Sequence, residues 1–342
     1  MKIAVDAMGG DHGPSVVVEG AVAAVRELGA AIILVGDSAT IEQELRRLGA
    51  NDAAGGIEVR HASQFVGMGE TPSHALRRKR DSSLRIAAEL VRDGKASAFV
   101  SAGNTGAALA ISMFVIGVLR GIDRPAIAAV LPSLRGFSVL LDVGANIDPK
   151  PWHLFQFAVM GHVYARDILG LPSPRVGLLS VGEEEGKGNE LTKEAYEQLK
   201  ESSINFIGNV EGRDIYNGRC DVVVTDGFTG NVALKISESL AEMLSVMIKE
   251  ELSRDVRSKV AAALALPAFG RFKKRVDYTE MGGAPLLGID GAAIICHGSS
   301  PSKAIKNAVR VAGEWAKAGL NEHIKAALEA AVAHGDREGN RE

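Results

Sequence analysis

The sequence predicts a three-layer α/β fold in which helices cover both faces of a mainly parallel sheet. Short apolar segments with the character of strands alternate with amphipathic helical segments from the first residues onward. Strands that are apolar throughout are typical of a parallel sheet buried on both faces. Because 342 residues exceed the size at which a single core usually stops growing, we expect one two-lobed unit over residues 1–334.

The elements follow in order along the chain. Strands are predicted at 2–5, 31–35, 97–100, 139–141, 176–179, 221–224, 285–289 and 293–296. Helices are predicted at 15–28, 38–48, 105–119, 152–169, 190–200, 232–252, 301–317 and 321–333. The charged residues 335–342 are expected to form a flexible tail.

One segment, about 253–275, breaks this rhythm and is predicted to be an inserted helical hairpin. Pro267 is expected to interrupt the helix and to present a small apolar tip beside a cluster of cations. Such a tip suits reversible contact with an anionic membrane, although it also suits a dimer contact or the acceptance of an acyl chain. The residues assigned to membrane contact are Leu264, Leu266, Pro267, Phe269, Lys273 and Lys274.

Composition restricts the classes of function. A net charge of −3 gives no general attraction to nucleic acid. The chain has two cysteines and no secretory signal, so a reducing, cytoplasmic setting is expected. The longest apolar run, 106–119, is shorter than the roughly 20 residues that a membrane-spanning helix needs.

Loops rich in Gly, Asn, Ser and Thr follow several predicted strands. They read DAMGGDHGP at 6–14, SAGNTG at 101–106, DVGAN at 142–146, DGFTGN at 226–231 and HGSS at 297–300. Those at 101–106, 142–146 and 226–231 precede helix starts, whose unpaired N–H groups and positive dipole ends suit phosphate. Each loop taken alone is also explained as a tight turn or a helix cap.

A further loop, GEEEGKGNE at 182–190, places Lys187 between two glycines after a strand. A lysine held in this way is a candidate for binding phosphate or polarising a thioester carbonyl, and a solvated charged turn is the alternative.

Several catalytic motifs are absent from the sequence. It contains no GxSxG elbow, no P-loop, no HExxH and no Cys/His set with metal spacing. Cys220 and Cys296 flank or end apolar strands, where cysteines are usually buried and unreactive. Covalent catalysis is therefore not favoured, and no metal or cofactor is expected.

At these same loops the sequence closely resembles the phosphate acyltransferase family of the PlsX type. The opening KIAVDAMGGDHGP is highly specific, and ALRRKRDSS, SAGNTGA, LDVGAN, GEEEGKGNE, DGFTGNVALK and HGSS follow in the family's order over nearly the whole chain. The resemblance implies transfer of an acyl group from acyl carrier protein to inorganic phosphate for phospholipid synthesis. It also implies a homodimer with a fold like that of isocitrate and isopropylmalate dehydrogenases and phosphotransacetylases.

The chemistry of that reaction requires donors for two anions at once, the phosphate and the oxyanion that develops on the thioester. The candidate phosphate-binding residues are Ser101, Gly103, Asn104, Thr105, Gly106, Asn146, Thr229, Gly230, Asn231 and Lys235. Lys187 is the candidate for stabilising negative charge, and His12 or His297 for proton transfer, although a histidine that only satisfies a loop carbonyl is an equal alternative.

Acyl carrier protein is acidic, so the densest basic run is the candidate docking surface: Arg77, Arg78, Lys79 and Arg80. A downstream glycerol-3-phosphate acyltransferase is a further expected partner, with reversible association at the inner face of the cell membrane. Three other hypotheses stay open from the sequence: a coenzyme A-dependent phosphotransacylase, a non-catalytic membrane scaffold that binds carrier protein, and, more weakly, a nicotinamide dehydrogenase of the same fold.

Overall fold

The computed structural model describes residues 1–50 and 55–338, apart from the side chains of 273, 274, 278 and 333–338. The strands of this part of the chain are β1 (Lys2–Asp6), β2 (Ala31–Gly36), β3 (Ile57–His61), β4 (Ala98–Ser101), β5 (Ala126–Ser133), β6 (Gly136–Leu141), β7 (Val176–Leu179), β8 (Phe206–Val210), β9 (Val222–Val224), β10 (Ala284–Leu287) and β11 (Ala293–Ile295). They form one sheet in the order β3-β2-β1-β4-β11-β10-β5-β6-β9-β7-β8.

Helices connect most of these strands. They are α1 (Pro14–Leu28), α2 (Ser38–Arg47), α3 (Pro72–Arg78), α4 (Ser83–Arg92), α5 (Thr105–Ile111), α6 (Pro151–Asp167), α7 (Glu190–Lys200), α8 (Asp214–Asn217), α9 (Gly227–Ser253), α10 (Val256–Val276), α11 (Ser302–Ala318) and α12 (Leu320–Glu338). None of the described helices is long and apolar enough to cross a bilayer.

The sheet consists of two parallel halves. Strands β3, β2, β1, β4 and β11 run in one direction. Strands β6, β9, β7 and β8 are also parallel to one another. Between them, β10 pairs antiparallel with β11 and β5, and β5 pairs antiparallel with β6. The two halves therefore run in opposite directions, joined through strands β10 and β5.

Both faces of the sheet are buried. Along each strand alternate residues enter different clusters, so Val5 and Val100 pack with helices α1 and α11, while Ala4 and Phe99 pack with α4 and α5. This arrangement confirms the predicted α/β fold with a mainly parallel sheet between helical layers. It also explains why the strands read as apolar on both faces.

Local patterns predicted some elements better than others. The strand β7 and the helix α7 have the bounds predicted from the sequence. The strands β3, β5 and β8 were not predicted. The sequence of β3, IEVRH, is largely exposed, and that of β8, FIGNV, contains Gly and Asn, which disfavour strands. The single helix expected at 105–119 is instead α5 followed by a π-helical turn, Ser112–Ile116.

The predicted helical hairpin is present, but its turn lies elsewhere. Helices α9 and α10 are its arms, and the chain reverses at Arg254 and Asp255, where the Asp255 carboxylate accepts a hydrogen bond from Ser258 N at 2.8 Å and caps α10. Pro267 lies inside α10, so the prediction that it forms the tip is wrong. The capped start of α10 fixes the position of the turn. The N–H that Pro267 lacks removes one hydrogen bond from α10 but does not end the helix.

The residues predicted for membrane contact therefore lie along a helix. Leu264, Leu266 and Phe269 are all exposed, by 80%, 64% and 38%, and the last two also line a groove of about 370 Å³ between α9 and α10. The side chains of Lys273 and Lys274 lie outside the described residues. At the end of the chain, α12 runs to Glu338, so 335–338 are helical, and residues 339–342 of the predicted tail lie outside the description.

Candidate active site

Five glycine-rich loops form two groups, one in each half-sheet, and a contact between Lys235 and His297 links the groups. The 6–14 loop packs on the 101–106 loop so closely that a Cβ on Gly9 would lie 2.8 Å from Gly103 N. The same loop reaches the 297–300 loop, because Asp11 N donates to Gly298 O at 2.8 Å. These positions require glycine for the backbones to approach. The contacts join three loops from the first half-sheet.

The second group lies in the second half-sheet. Gly227 N donates to Asn146 O at 2.7 Å, which holds the start of α9 against the 142–146 loop. About two turns further along α9, Lys235 Nζ lies 3.4 Å from Nε2 of His297 in the first half-sheet. The motifs at 6–14, 101–106 and 297–300 are therefore neighbours in space, as are those at 142–146 and 226–231, and the Lys235–His297 contact links the two groups.

Two buried carboxylates organise these loops. Asp6 ends β1, where Ser101 Oγ donates to Asp6 Oδ2 at 2.7 Å and itself accepts from Gly103 N at 3.1 Å. Asp142 follows β6 and accepts from the backbone N–H groups of Ile127, Ala145 and Asn146. Burial raises the pKa of both carboxyl groups, and their hydrogen bonds oppose that rise.

Three of the predicted phosphate-binding side chains are already occupied inside the protein. Ser101 is bonded to Asp6, as described. The Asn104 side chain caps α5 by accepting from Ala107 N at 2.9 Å, and its Nδ2 donates to backbone carbonyls of the 67–70 segment. Asn146 Nδ2 donates to Pro125 O at 2.8 Å and to Asp142 Oδ2 at 2.9 Å. These side chains shape the loops rather than face an open site.

The other predicted polar side chains at the helix starts face solvent. Thr105 is exposed at the first residue of α5, and Thr229 and Asn231 are exposed in the first turn of α9. Thr229 N donates to the capping residue Asp226 at 2.8 Å. Gly103 and Gly230 are buried at the backs of their loops, and Gly106 is half-buried.

Of the two predicted histidines, His297 lies at the junction of the half-sheets. Its Nδ1 is 2.8 Å from Ser299 Oγ and its Nε2 faces Lys235, whose ammonium also donates to Glu238 Oε2 at 2.8 Å. Ser299 N also donates to Nδ1 at 3.3 Å. His12 is exposed in the 6–14 loop, and its carbonyl accepts from Ser15 Oγ at 3.3 Å.

Lys187 is exposed in the loop that follows β7. Since β7 pairs with β9 in parallel register, this loop leaves the same edge of the sheet as the 226–231 loop. The loop is held from behind, where Asn209 Nδ2 donates to Glu184 O at 2.9 Å. Among the side chains that the structure describes, no acidic group lies within salt-bridge distance of the Lys187 ammonium.

The basic run at 77–80 divides into two parts. Arg77, Arg78 and Arg80 are exposed. Lys79 instead points inward, where its Nζ contacts Glu70 Oε1 at 2.6 Å and Phe65 O at 2.7 Å. The predicted docking role is therefore corrected for Lys79, because its charge is paired within the chain.

Neither cysteine has the surroundings of a nucleophile. Burial raises the pKa of the Cys220 thiol to about 12 and that of the Cys296 thiol also to about 12. A thiol that stays protonated at neutral pH is a poor nucleophile. The prediction that both cysteines are buried is confirmed.

Comparison with known proteins gives the family. The sequence model of a family described as "Fatty acid synthesis protein" matches residues 1–323. Curated relatives named phosphate acyltransferase include one from Geotalea daltonii, 56% identical over 324 residues, covering 95% of this chain and 93% of the relative. Another, from Geobacter sulfurreducens, is 54% identical over 329 residues, covering 96% of this chain and 94% of the relative.

The chain belongs to the phosphate acyltransferase family. It is therefore an acyltransferase of a family that acts in fatty acid and phospholipid synthesis, as the resemblance of its motifs predicted. The hypothesis of a non-catalytic scaffold is wrong, and so is that of a nicotinamide dehydrogenase.

Solved structures agree with this fold. A phosphotransacetylase from Streptococcus pyogenes superimposes with a TM-score of 0.65 at 18% identity, covering 93% of this chain and 94% of that one. The EutD phosphotransacetylase from Staphylococcus aureus has a TM-score of 0.62 at 15% identity, covering 92% and 94%. At such identities the likeness confirms the phosphotransacetylase-like fold predicted for this phosphate acyltransferase.

Sequence reasoning did not assign the two buried carboxylates of this phosphate acyltransferase. Asp6 and Asp142 each stand at the end of an apolar strand and before a glycine-rich loop, and that pattern was available in the sequence. Their hydrogen-bond partners, by contrast, are distant in the chain, as Ser101 is from Asp6.

Proposed function

We propose that this enzyme transfers a fatty acyl group from acyl carrier protein to inorganic phosphate, giving acyl phosphate and free carrier protein for phospholipid synthesis. The observation that carries the proposal is the contact between Lys235 and His297, which links the glycine-rich loops of the two half-sheets. Helix starts supply N–H donors, and Lys235 and Lys187 supply positive charge at the same region of the sheet.

Phosphate binds, in this proposal, between the 101–106 and 226–231 loops. The exposed groups there are Thr105, Thr229 and Asn231, with Lys235 one helical turn further along α9. Ser101, Asn104 and Asn146 act by holding the loops in shape, since their side chains are bonded within the protein. A hydrogen bond from one of the exposed groups to the charged phosphate contributes roughly 1.5 to 3 kcal/mol.

The bound phosphate is itself the nucleophile. One of its oxygens forms a bond to the thioester carbonyl carbon, the carbon–sulfur bond breaks, and the proton of hydrogen phosphate passes to the leaving sulfur. His297 carries that proton, because its ring lies beside Lys235 at the junction of the half-sheets. Lys187 stabilises the negative charge that develops on the carbonyl oxygen.

The exposed arginines Arg77, Arg78 and Arg80 are proposed as the docking surface for acyl carrier protein. They lie at the end of α3 and just beyond it, and α3 packs against α5, the helix that follows the 101–106 loop. A carrier protein held there would place its attached acyl group near the phosphate loops. Attraction between a basic surface and an acidic partner weakens with salt.

Assembly and membrane contact are proposed for the hairpin. Ile236, Leu240, Met243 and Met247 form an exposed apolar stripe on α9 at spacings of four, three and four residues, the pattern that packs one helix against another. We propose that a second copy of the chain covers this stripe in a homodimer. The exposed Leu264 of α10 makes reversible contact with the inner face of the cell membrane from the cytoplasm.

A coenzyme A-dependent reaction is the second candidate, because solved relatives in fold are named phosphotransacetylases. The two donors are compared directly by supplying the same fatty acyl group on acyl carrier protein or on coenzyme A, with phosphate, and trapping acyl phosphate with hydroxylamine. The proposal predicts that kcat/KM is at least tenfold higher with the acyl carrier protein donor than with the coenzyme A donor. One additional charged contact at the docking surface is enough to give a factor of about ten. Equal or higher use of the coenzyme A donor would favour the second candidate.

A further inference from the structure

The segment 65–70, between β3 and α3, lies across two of the candidate phosphate loops. Its carbonyls converge on one side chain, since Asn104 Nδ2 donates to Met68 O and to Glu70 O, each at 2.8 Å. On its other side the Met68 methyl group fills the space beside Gly298, where a Cβ would lie 2.6 Å from it. The segment therefore contacts the 101–106 loop and the 297–300 loop together.

An ion pair between Glu70 and Lys79 closes this segment, and Glu70 Oε2 also lies 3.0 Å from His74 Nδ1. Glu70 Oε1 accepts from Lys79 Nζ at 2.6 Å and from Gly67 N at 2.8 Å. The same Lys79 ammonium donates to Phe65 O at 2.7 Å and lies 5.4 Å from the centre of the Phe65 ring. The two ends of the segment are thus tied to one cation.

This ion pair differs from an ordinary surface pair. The Lys79 and Glu70 side chains are only 23% and 24% exposed, and both make further hydrogen bonds to backbone groups. The Lys79 hydrogen bond holds the pKa of Glu70 at about 2, so the carboxylate is ionised throughout the neutral range. Exposed pairs contribute little because solvent and side-chain entropy oppose them, and both effects are reduced here.

We propose that Glu70 and Lys79 are positioning residues for phosphate. Their ion pair fixes the 65–70 segment, whose carbonyls hold the Asn104 amide, and Asn104 in turn shapes the 101–106 loop. Because Asn104 also caps α5 through Ala107 N, a shift of its amide moves the first turn of that helix. The inference rests on the proposed binding of phosphate at this loop.

The test measures steady-state kinetics of the full-length enzyme with acyl carrier protein as donor and inorganic phosphate as acceptor. For Lys79→Met and for Glu70→Gln we expect the KM for phosphate to rise about tenfold, the size of one lost charged hydrogen bond, with the donor KM unchanged. Lys79→Arg, which keeps the cation, should restore most of the phosphate affinity. Lys317→Met, at an exposed site on α11, is the control for an equal change of charge.

Several outcomes overturn the inference. A parent-like phosphate KM in both variants would remove the positioning role, and a rise in the donor KM alone would return Lys79 to the docking surface. If Lys79→Met does not fold, Glu70→Gln, which preserves shape, decides the question by the same comparison. A parent enzyme that makes no acyl phosphate at all would instead contradict the proposed function.

Discussion

Replacing Gly227 by alanine tests how tightly the start of α9 must sit against the 142–146 loop. An alanine Cβ at this position would lie 2.7, 2.8 and 2.9 Å from the backbone O, N and C of Asn146. Ordinary contact begins at 3.4 Å, so the helix start must retreat from the oxygen by about 0.7 Å. The neighbouring atoms are backbone and cannot rotate away.

The displacement has two expected effects. Overpacking of this kind usually lowers the free energy of unfolding by about 1 to 3 kcal/mol. This loss is expected even though alanine ordinarily favours a helix over glycine by about 1 kcal/mol. Because catalysis depends on alignment at the scale of 1 Å, we also expect kcat/KM for phosphate to fall between about tenfold and 10²-fold. The start of α9 would carry Thr229 and Asn231 with it.

Urea unfolding and acyl phosphate formation at varied phosphate measure the two effects. The matched control is Gly212→Ala, since a Cβ at Gly212 meets nothing within 4 Å and should change neither quantity. A Gly227→Ala enzyme with the stability and phosphate kinetics of the parent would refute the reasoning that this contact positions the phosphate loops.

Three further variants test other parts of the proposed function. Lys187→Ala should lower kcat by about 10² with little change in stability, because an exposed loop lysine packs little but would stabilise the developing charge. Arg77→Glu with Arg78→Glu should raise the KM for acyl carrier protein at least tenfold, most strongly at low salt. Val260→Glu with Leu264→Glu should abolish sedimentation with anionic liposomes, since each exposed side chain loses up to about 1.5 to 3 kcal/mol of burial in lipid.

Each of these has its own check. Near-normal turnover without Lys187 would assign charge stabilisation elsewhere, and equal changes in the phosphate and carrier-protein KM values would count against the docking surface. For the membrane variant, Leu266→Glu with Phe269→Glu is the comparison, because those side chains line the groove towards α9 and should affect the hairpin itself. If the Val260 and Leu264 pair binds liposomes like the parent, that face of α10 is not the anchor.

The order of strands and helices could be predicted from the sequence because its signals are local. Apolar runs ended by glycine loops marked β1, β7 and β9, and the spacing of apolar residues marked α7 and α11. The hairpin turn was misplaced because Pro267 is a strong local signal, whereas the competing cap at Asp255 depends on a hydrogen bond that only the folded helix shows.

The candidate site could be predicted as a set of loops but not as a set of free side chains. Thr105 and Asn104 are adjacent and equally suited to phosphate, yet the amide of Asn104 is taken by carbonyls more than thirty residues away. Lys79 is one of four consecutive cations at 77–80, and the local sequence does not distinguish it from the other three. Its partner Glu70 lies nine positions upstream. Such partners are set by the tertiary fold, and no local pattern reveals them.

The most direct test of phosphate-dependent acyl transfer is the release of free thiol from acyl carrier protein as phosphate is varied. Direct attack by bound phosphate predicts no thiol without phosphate, saturable release with it, one acyl phosphate for each thiol, and no acyl adduct on the enzyme by intact-protein mass spectrometry. Thiol release at the same rate without phosphate, or an acylated enzyme that phosphate discharges, would contradict direct attack by bound phosphate.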